Sequence, residues 1–411
     1  MVRFRALLVP IAAFGVMALF GAGPATAHPA GHPAVEQLAC SRQVAPPPPV
    51  DTSEAPIPGT AAPPPLPVPE RAVGGVRMGE CGLVLPAGVP APPAGISSMS
   101  WLIADADSGE VLAAKDPHAR NRPASTLKLL TALLAADQLP VDRTVVATQA
   151  DADQDGSRVG LGPGGRYTVR QLLTGLLLSS GNDAAHALAV ALGGVTQTVA
   201  QMNELAATLG ARDTRAATPS GLDGPGMSSS AYDLALAFRQ VLSRPLLVEL
   251  LGTRQAEFPG FANRPGFVVS NDNKLLRTYP GALGGKTGFT DDARHTQLDA
   301  ARRGGRCLIV VLMRGEQQPV SMSEQAARLL NYGFSLPPGS PVGRLVNGAQ
   351  PPAEEATPAP VTPPDGLPAS SQGWTDRSTK AGGLIPVALW IGLAVTVLAI
   401  LGALVARQRH H

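Results

Sequence analysis

A chain of 411 residues with a formal net charge of +2 and no run of Lys or Arg offers little for a nucleic-acid backbone to hold, so that partner class is set aside. Length alone would allow two domains. The 41 prolines crowd into two tracts that flank the middle, and only five of the 33 basic residues are lysine, so composition favours one folded domain that uses arginine as its ordinary surface cation.

Taken in chain order, residues 1–27 read as a secretory signal: Arg3 and Arg5, an apolar stretch from Ala6 to Gly21, and a small-residue cleavage site at Ala25-Thr26-Ala27. An uncleaved anchor is the alternative, and either places the middle of the chain outside the cytoplasm. Residues 28–95 are Pro-rich and of low complexity, with Pro46 to Pro49 and Pro63 to Pro65 as examples, and are expected to be extended, disordered and unpacked. Within this segment Cys40 and Cys81 lie on either side of the proline runs and could pair, while Cys307 opens an apolar run that reads as a buried strand.

Residues 96–335 are dense enough in apolar side chains to form one core. Trp101 to Ala104 and Val111 to Ala114 read as two strands joined by the turn Asp107-Ser108-Gly109. Pro123 then precedes a helical pattern carrying Leu127, Leu130, Leu133 and Leu134 on one face. Further helices are predicted at Val169 to Leu178, Asp183 to Leu192, Val195 to Leu209 and Ala231 to Leu242. Strands return at Gly285 to Thr290, His295 to Ala301 and Cys307 to Met313, and an amphipathic helix, Ser321 to Tyr332, closes the domain. Strands at both ends with helices between imply an α+β fold: one antiparallel sheet covered by helices, plus a helical region.

Residues 336–383 return to Pro, Ala and Ser and read as a stalk. Residues 384–406 carry no charge and suit a bilayer-spanning helix of ~20 residues, followed by a short tail, 407–411. Basic residues on the two sides offset one another, so the signal segment sets the expected orientation: catalytic domain outside, tail inside.

Three short motifs lie inside the central domain. They are Ser125-Thr126-Leu127-Lys128, Ser180-Gly181-Asn182 and Lys286-Thr287-Gly288. Residues three apart on a helix share a face, so Ser125 and Lys128 should meet near a helix start, where free N–H groups and the positive end of the dipole favour a developing oxyanion. Ser125 is the candidate nucleophile. Lys128, if neutral, would accept its proton, and both burial and the Lys286 charge would depress its pKa. Ser180 could relay a proton to a leaving amine, and Asn182 could hold a substrate amide and Lys128. On a predicted strand, Lys286 and Thr287 could bind a carboxylate, Gly288 would let a substrate backbone approach, and the Phe289 N–H could join that of Ser125 in an oxyanion hole.

In this order the motifs are the signature of serine enzymes that acylate on D-alanyl peptides or β-lactams. The region 96–335 resembles the serine D-alanyl-D-alanine carboxypeptidases, the low-molecular-mass penicillin-binding proteins. The resemblance implies a D,D-peptidase/β-lactamase-like fold, an acyl-Ser125 intermediate, release of the terminal D-alanine from peptidoglycan stem peptides, and acylation by penicillins without metal or other cofactor. Three departures stand out. The β-rich second domain often found in the family is replaced by the Pro-rich stalk. The Gly often found after the K-T-G strand is Arg294, and the common Asn-Gly-Leu is Ser220-Gly221-Leu222. A class A β-lactamase would need a deacylating Glu, but no E-x-x-L-N follows Ser180. A catalytically dead wall-binding module would not be expected to keep all three motifs.

Other signals carry less. Asp151-x-Asp153-x-Asp155-Gly156 opens like a calcium loop but has Gly162 where the bidentate Glu belongs. His118, His186 and His295 show no metal-ligand spacing, and no G-x-S-x-G elbow is present.

Overall fold

The computed structural model describes residues 40–56 and 58–348. The expected signal segment, most of the stalk, the apolar stretch 384–406 and the tail lie outside the described residues. Among those that are described, no helix is long and apolar enough to cross a membrane.

Three strands open the fold: β1 (Leu83–Val84), β2 (Ser100–Asp105) and β3 (Glu110–Lys115). The β2–β3 turn closes as its residues dictate: the Asp105 carboxylate accepts from the N–H groups of Asp107 and Ser108, and Gly109 takes the positive φ. A 3₁₀ turn at Ala124–Leu127 runs into α1 (Lys128–Gln138). Next come β4 (Thr144–Val146), α2 (Gln149–Ala152), β5 (Arg166–Thr168), α3 (Val169–Leu178), α4 (Asn182–Ala191), α5 (Val195–Leu209), α6 (Ala231–Leu242) and α7 (Pro245–Gly252). Side-chain oxygens cap several of these helices: Thr168 and Gln171 form a capping box on α3, and Ser230 caps α6. The chain finishes with the hairpin β6 (Gln255–Phe258) and β7 (Phe267–Ser270), then α8 (Leu275–Thr278), β8 (Ala282–Thr290), β9 (Arg294–Arg303), β10 (Arg306–Gly315), α9 (Met322–Ser335) and β11 (Gly343–Arg344).

The main sheet is antiparallel in the order β1-β3-β2-β10-β9-β8, with β11 also on β3. Strands from the two ends of the sequence therefore meet at the β2–β10 pair, as the sequence pattern implied. Successive side chains of a strand face opposite ways, and here both faces are covered. On β10, Ile309, Val311 and Met313 pack into the larger core shared with α1, α3, α4 and α6; Leu308, Val310 and Leu312 pack under α9 against Trp101, Ile103 and Leu329. Burial on both faces explains why β10 is a nearly unbroken apolar run rather than an alternating one.

The domain boundaries need correction. The folded body is not confined to 96–335: Met78, Val84, Val342 and Leu345 are buried in the larger core. The reason is the outer edge of β3. Its Ala114–Lys115 end is paired by β1 and its Glu110–Val111 end by β11, so both extensions satisfy backbone groups that an edge strand would leave open. The Pro-rich flank is likewise not unpacked from Cys40 onward. It forms almost no helix or strand, as its prolines require, but it is pinned by arginines: Arg120, buried, donates to the carbonyls of Val44, Leu66 and Pro67. Cys40 and Cys81 form a disulfide, and Cys307 is free and buried.

Candidate active site

All three motifs converge. The serine turn is not a regular α-helix, as the sequence suggested, but the 3₁₀ turn Ala124–Leu127, with Lys128 as the first residue of α1. Ala124 holds φ +48°, a region that costs a non-glycine residue on the order of 1 kcal/mol or more unless its surroundings impose it. Those surroundings are visible. Thr296 on β9 donates its hydroxyl to the Pro123 carbonyl at 2.9 Å, and Gly221, at φ +80°, passes so close that a Cβ there would lie 2.0 Å from the Ala124 oxygen.

Lys128 is 0% exposed, and its Nζ has three partners: Ser125 Oγ at 2.7 Å, Asn182 Oδ1 at 2.6 Å and the Ser220 carbonyl at 2.7 Å. The Asn182 amide is oriented by its other end, where Nδ2 donates to the Asp155 carbonyl at 2.6 Å. Two of the three Lys128 partners can therefore only accept, while the serine hydroxyl can also donate. A neutral amine has two N–H groups and one lone pair, so donating to Asn182 and Ser220 leaves the lone pair facing Ser125. Burial, and then the Lys286 charge, push the Lys128 pKa well below the usual lysine range. No carboxylate touches the amine among the described ion pairs.

Ser180 and Lys286 form the second pair. Ser180 joins α3 to α4 at φ +57°, with the Gly181 N–H on the Gly175 carbonyl and the Asn182 N–H on the Ser157 carbonyl. Its neighbour Asp183 accepts from the N–H groups of Val159, Gly160 and Leu161, holding that loop against the cleft. Lys286 donates to Ser180 Oγ at 2.8 Å and to the Thr287 carbonyl at 2.7 Å. Burial lowers its pKa to about 8, opposed in part by Asp272, so it keeps its proton at neutral pH.

The K-T-G strand is β8, paired with β9 from Thr290↔Arg294 back to Ala282↔Ala301. Thr287 and Gly288 are half-buried at the cleft, and Gly288 faces the serine turn: a Cβ on it would sit 2.8 Å from the Ser125 nitrogen and 3.0 Å from the Ala124 Cβ. The Ser125 nitrogen thus lies close against this strand. Phe289 is 48% exposed, with its ring against His295 at 4.5 Å and the Arg294 guanidinium 5.7 Å over its face. Arg294 itself occupies φ +53°, the conformation that favours the glycine often found there, and a two-point ion pair to Glu316 holds it.

Sequence reasoning missed several contributors. The Ser220 carbonyl binds Lys128, and because the contact is through backbone, Ser in place of Asn leaves it intact. Asp155-Gly156 orients Asn182, and a Cβ on Gly156 would reach 2.8 Å from Asn182 Nδ2. Asp151, the first of the calcium-like acids, is consumed locally by Thr148 and His186. Buried Asp299 stands behind β8 at the point where Gly285 passes it, accepting from Asn273 and Gln297, and burial raises its pKa to about 7.

Comparison with known proteins agrees with this geometry. The profile of the peptidase S11 family, described as D-alanyl-D-alanine carboxypeptidase, matches residues 87–317. The chain is similar to the D-alanyl-D-alanine carboxypeptidase DacB2 of Mycobacterium tuberculosis, 48% identical over 267 residues covering 64% of this chain and 90% of the relative. It is 32% identical to DacF of Bacillus subtilis over 242 residues, spanning 57% of this chain and 62% of that one. Among solved structures it resembles a D-alanyl-D-alanine carboxypeptidase from M. tuberculosis H37Rv, with a TM-score of 0.61 at 47% identity over 64% of this chain and all of that one. A point mutant of the Streptomyces K15 DD-transpeptidase gives a TM-score of 0.56 at 29% identity, covering 59% of this chain and 100% of that one. The chain belongs to the D-alanyl-D-alanine carboxypeptidase family, peptidase S11.

Proposed function

We propose that the chain is a serine D,D-carboxypeptidase that removes the terminal D-alanine of peptidoglycan stem peptides and is acylated by β-lactams. The observation that carries the chemistry is the 2.7 Å contact between Lys128 Nζ and Ser125 Oγ, with acceptor-only partners at the other two contacts of the amine, which in its neutral form would leave its lone pair to the serine hydroxyl. Lys128 takes the hydroxyl proton as Oγ attacks the penultimate D-alanine carbonyl, and the negative oxygen forms between the N–H groups of Ser125 and Phe289. The C–N bond then breaks as the proton taken up by Lys128 passes through Ser180, which Lys286 holds in place, to the departing D-alanine amine, leaving Lys128 neutral again. Lys286 with Thr287 receives the terminal carboxylate. Water next attacks acyl-Ser125 and gives a proton to Lys128, which passes it to Oγ as the acyl C–O bond breaks, releasing the shortened stem and restoring both the hydroxyl and the neutral amine.

The same reading assigns the location. The apolar segment 384–406 is the single membrane anchor, the residues before it form a stalk, and the catalytic domain is extracytoplasmic after export through the 1–27 signal. The Cys40–Cys81 disulfide supports an oxidising compartment. One assay tests the chemistry: the purified protein is incubated with a labelled penicillin and with a pentapeptide ending in D-Ala-D-Ala. Stable labelling with D-alanine release is the expected result. Rapid penicillin turnover would instead indicate a lactamase, and neither activity a wall-binding module.

A further inference from the structure

The segment from Pro47 to Glu54 precedes the residues matched by the family profile, yet it grips the serine turn itself. We propose that this strap is a working wall of the cleft and that Glu54 is a positioning residue for Ser125, acting through Arg122. The proposal rests on the acyl-enzyme reading above.

Arg122 lies three residues before the nucleophile and is only 3% exposed. Its guanidinium meets the Glu54 carboxylate with both ends, Nε on Oε1 and Nη2 on Oε2, while Nη1 donates to the Pro47 carbonyl at 2.5 Å. The strap is fastened a second time at the β8–β9 turn. Buried Asp292 accepts from the Val50 N–H at 2.5 Å and from the Ser53 hydroxyl at 3.4 Å, and its own carbonyl accepts from Arg314. One short piece of chain thus ties together the two elements that face each other across Ser125: the serine turn and the end of the K-T-G strand.

The backbone between Arg122 and Ser125 is one of the strained parts of the site, with Ala124 at positive φ. Such a conformation persists only where neighbours over-determine it. Thr296 and Gly221 hold it from the sheet and from the Ser220 loop. The Glu54–Arg122 pair holds it from the third side. Without the Glu54 charge, Arg122 keeps two other carboxylates within its electrostatic reach, Asp292 and Asp223. It would swing toward them and draw the turn away from Lys128.

The test is pre-steady-state acylation of the full-length protein by a fluorescent penicillin, with active sites counted from the labelling end point. Limiting rate and apparent binding constant are measured separately for the wild type, Glu54→Gln, Glu54→Asp and Val50→Pro. A purely structural role would lower the fraction of sites that label but not the rate per site. The expected result for Glu54→Gln is a limiting rate per labelled site about tenfold lower with binding unchanged, because misplacement of reacting groups by a fraction of an ångström acts on the chemical step. Glu54→Asp should recover most of that rate. Val50→Pro, which removes one N–H from Asp292 without altering charge, should slow the step several-fold. Wild-type rates per site in Glu54→Gln would overturn the proposal; if that variant does not fold, wild-type rates in Val50→Pro would do so. A wild-type protein that takes no label refutes the acyl-enzyme reading, whereas a labelled wild type with unchanged variants refutes the strap's role alone.

Discussion

Two of the buried charge clusters among the described residues are built on opposite rules. In the cleft, Lys128 and Lys286 are both enclosed, and neither forms an ion pair among the described residues; their hydrogen bonds go to hydroxyl, amide and carbonyl oxygens. Beneath the Pro-rich flank, Arg120 and His118 are equally enclosed but share Asp213, with Arg120 Nε on Oδ1 at 3.1 Å and His118 Nδ1 on Oδ2 at 2.7 Å. His118 gives its other ring nitrogen to the Val73 carbonyl, so both nitrogens face acceptors and the ring is held as an imidazolium: burial alone would depress its pKa, but Asp213 raises it. Asp233 completes the group with a carboxyl raised to about 7 by burial and by Asp213. Although His118, Asp213 and Asp233 could in principle ligate a cation, the ring is engaged at both ends and Arg120 already neutralises Asp213. A buried ammonium left without a paired carboxylate is pushed toward its neutral form, well below the usual lysine range for Lys128 but only to about 8 for Lys286, which stays charged at neutral pH; buried charge that is paired becomes a fastener.

The largest test of this contrast is Lys128→Gln. It should lower the acylation rate per site on the order of 10³-fold, as removal of a general base does, while the fold is retained because a desolvated amine is lost with it. A rate within tenfold of wild type, measured by penicillin labelling, would break the contrast. Arg120→Met does the reverse. It strips Asp213 of one partner and frees three flank carbonyls, so chemical denaturation should show a loss of about 3 kcal/mol.

Next in size is the alkaline limb of the pH profile. Acylation by an anionic β-lactam should fall about tenfold per pH unit above about 8, as Lys286 loses the proton that holds the carboxylate, and Lys286→Arg should move that limb out of range. The smallest effect belongs to Asp233→Asn. Asp233 is raised above its unfolded value, so its folded form keeps a proton that the unfolded chain releases, and stability falls as pH rises from about 4 to about 7. His118, also raised, contributes stability present below its unfolded pKa and lost as pH rises through the folded one. The variant should flatten this slope by about 1.4 kcal/mol per pH unit between pH 5 and pH 7, read from melting curves at pH 5 and pH 8. An unchanged slope would place the pH dependence elsewhere.

The chemistry of the cleft was legible because it is carried by short motifs whose residues have no cheaper explanation as a set. The helices α3, α5 and α6 were legible from apolar spacing and caps. What could not be read was whatever depends on chain meeting chain. The calm periodicity of α1 hides that its first turn, at Ser125, is 3₁₀ and strained, because Thr296 and Gly221 impose that geometry from far along the sequence. The short strands β1 and β11 have no alternation to detect and exist because β3 needs an edge. Helix α7 and the β6–β7 hairpin were likewise not anticipated. The Pro-rich flank looked solvent-borne since proline forms no ladder, and only the arginines it meets decide that it lies down.

The bond between Cys40 and Cys81 closes a covalent ring of chain that contains the whole strap. A protease that nicks this ring once, at any exposed proline-rich tip, leaves both ends attached to the same body. The enzyme should therefore run as two bands only under reducing electrophoresis, and a clipped molecule would keep its cleft wall in place.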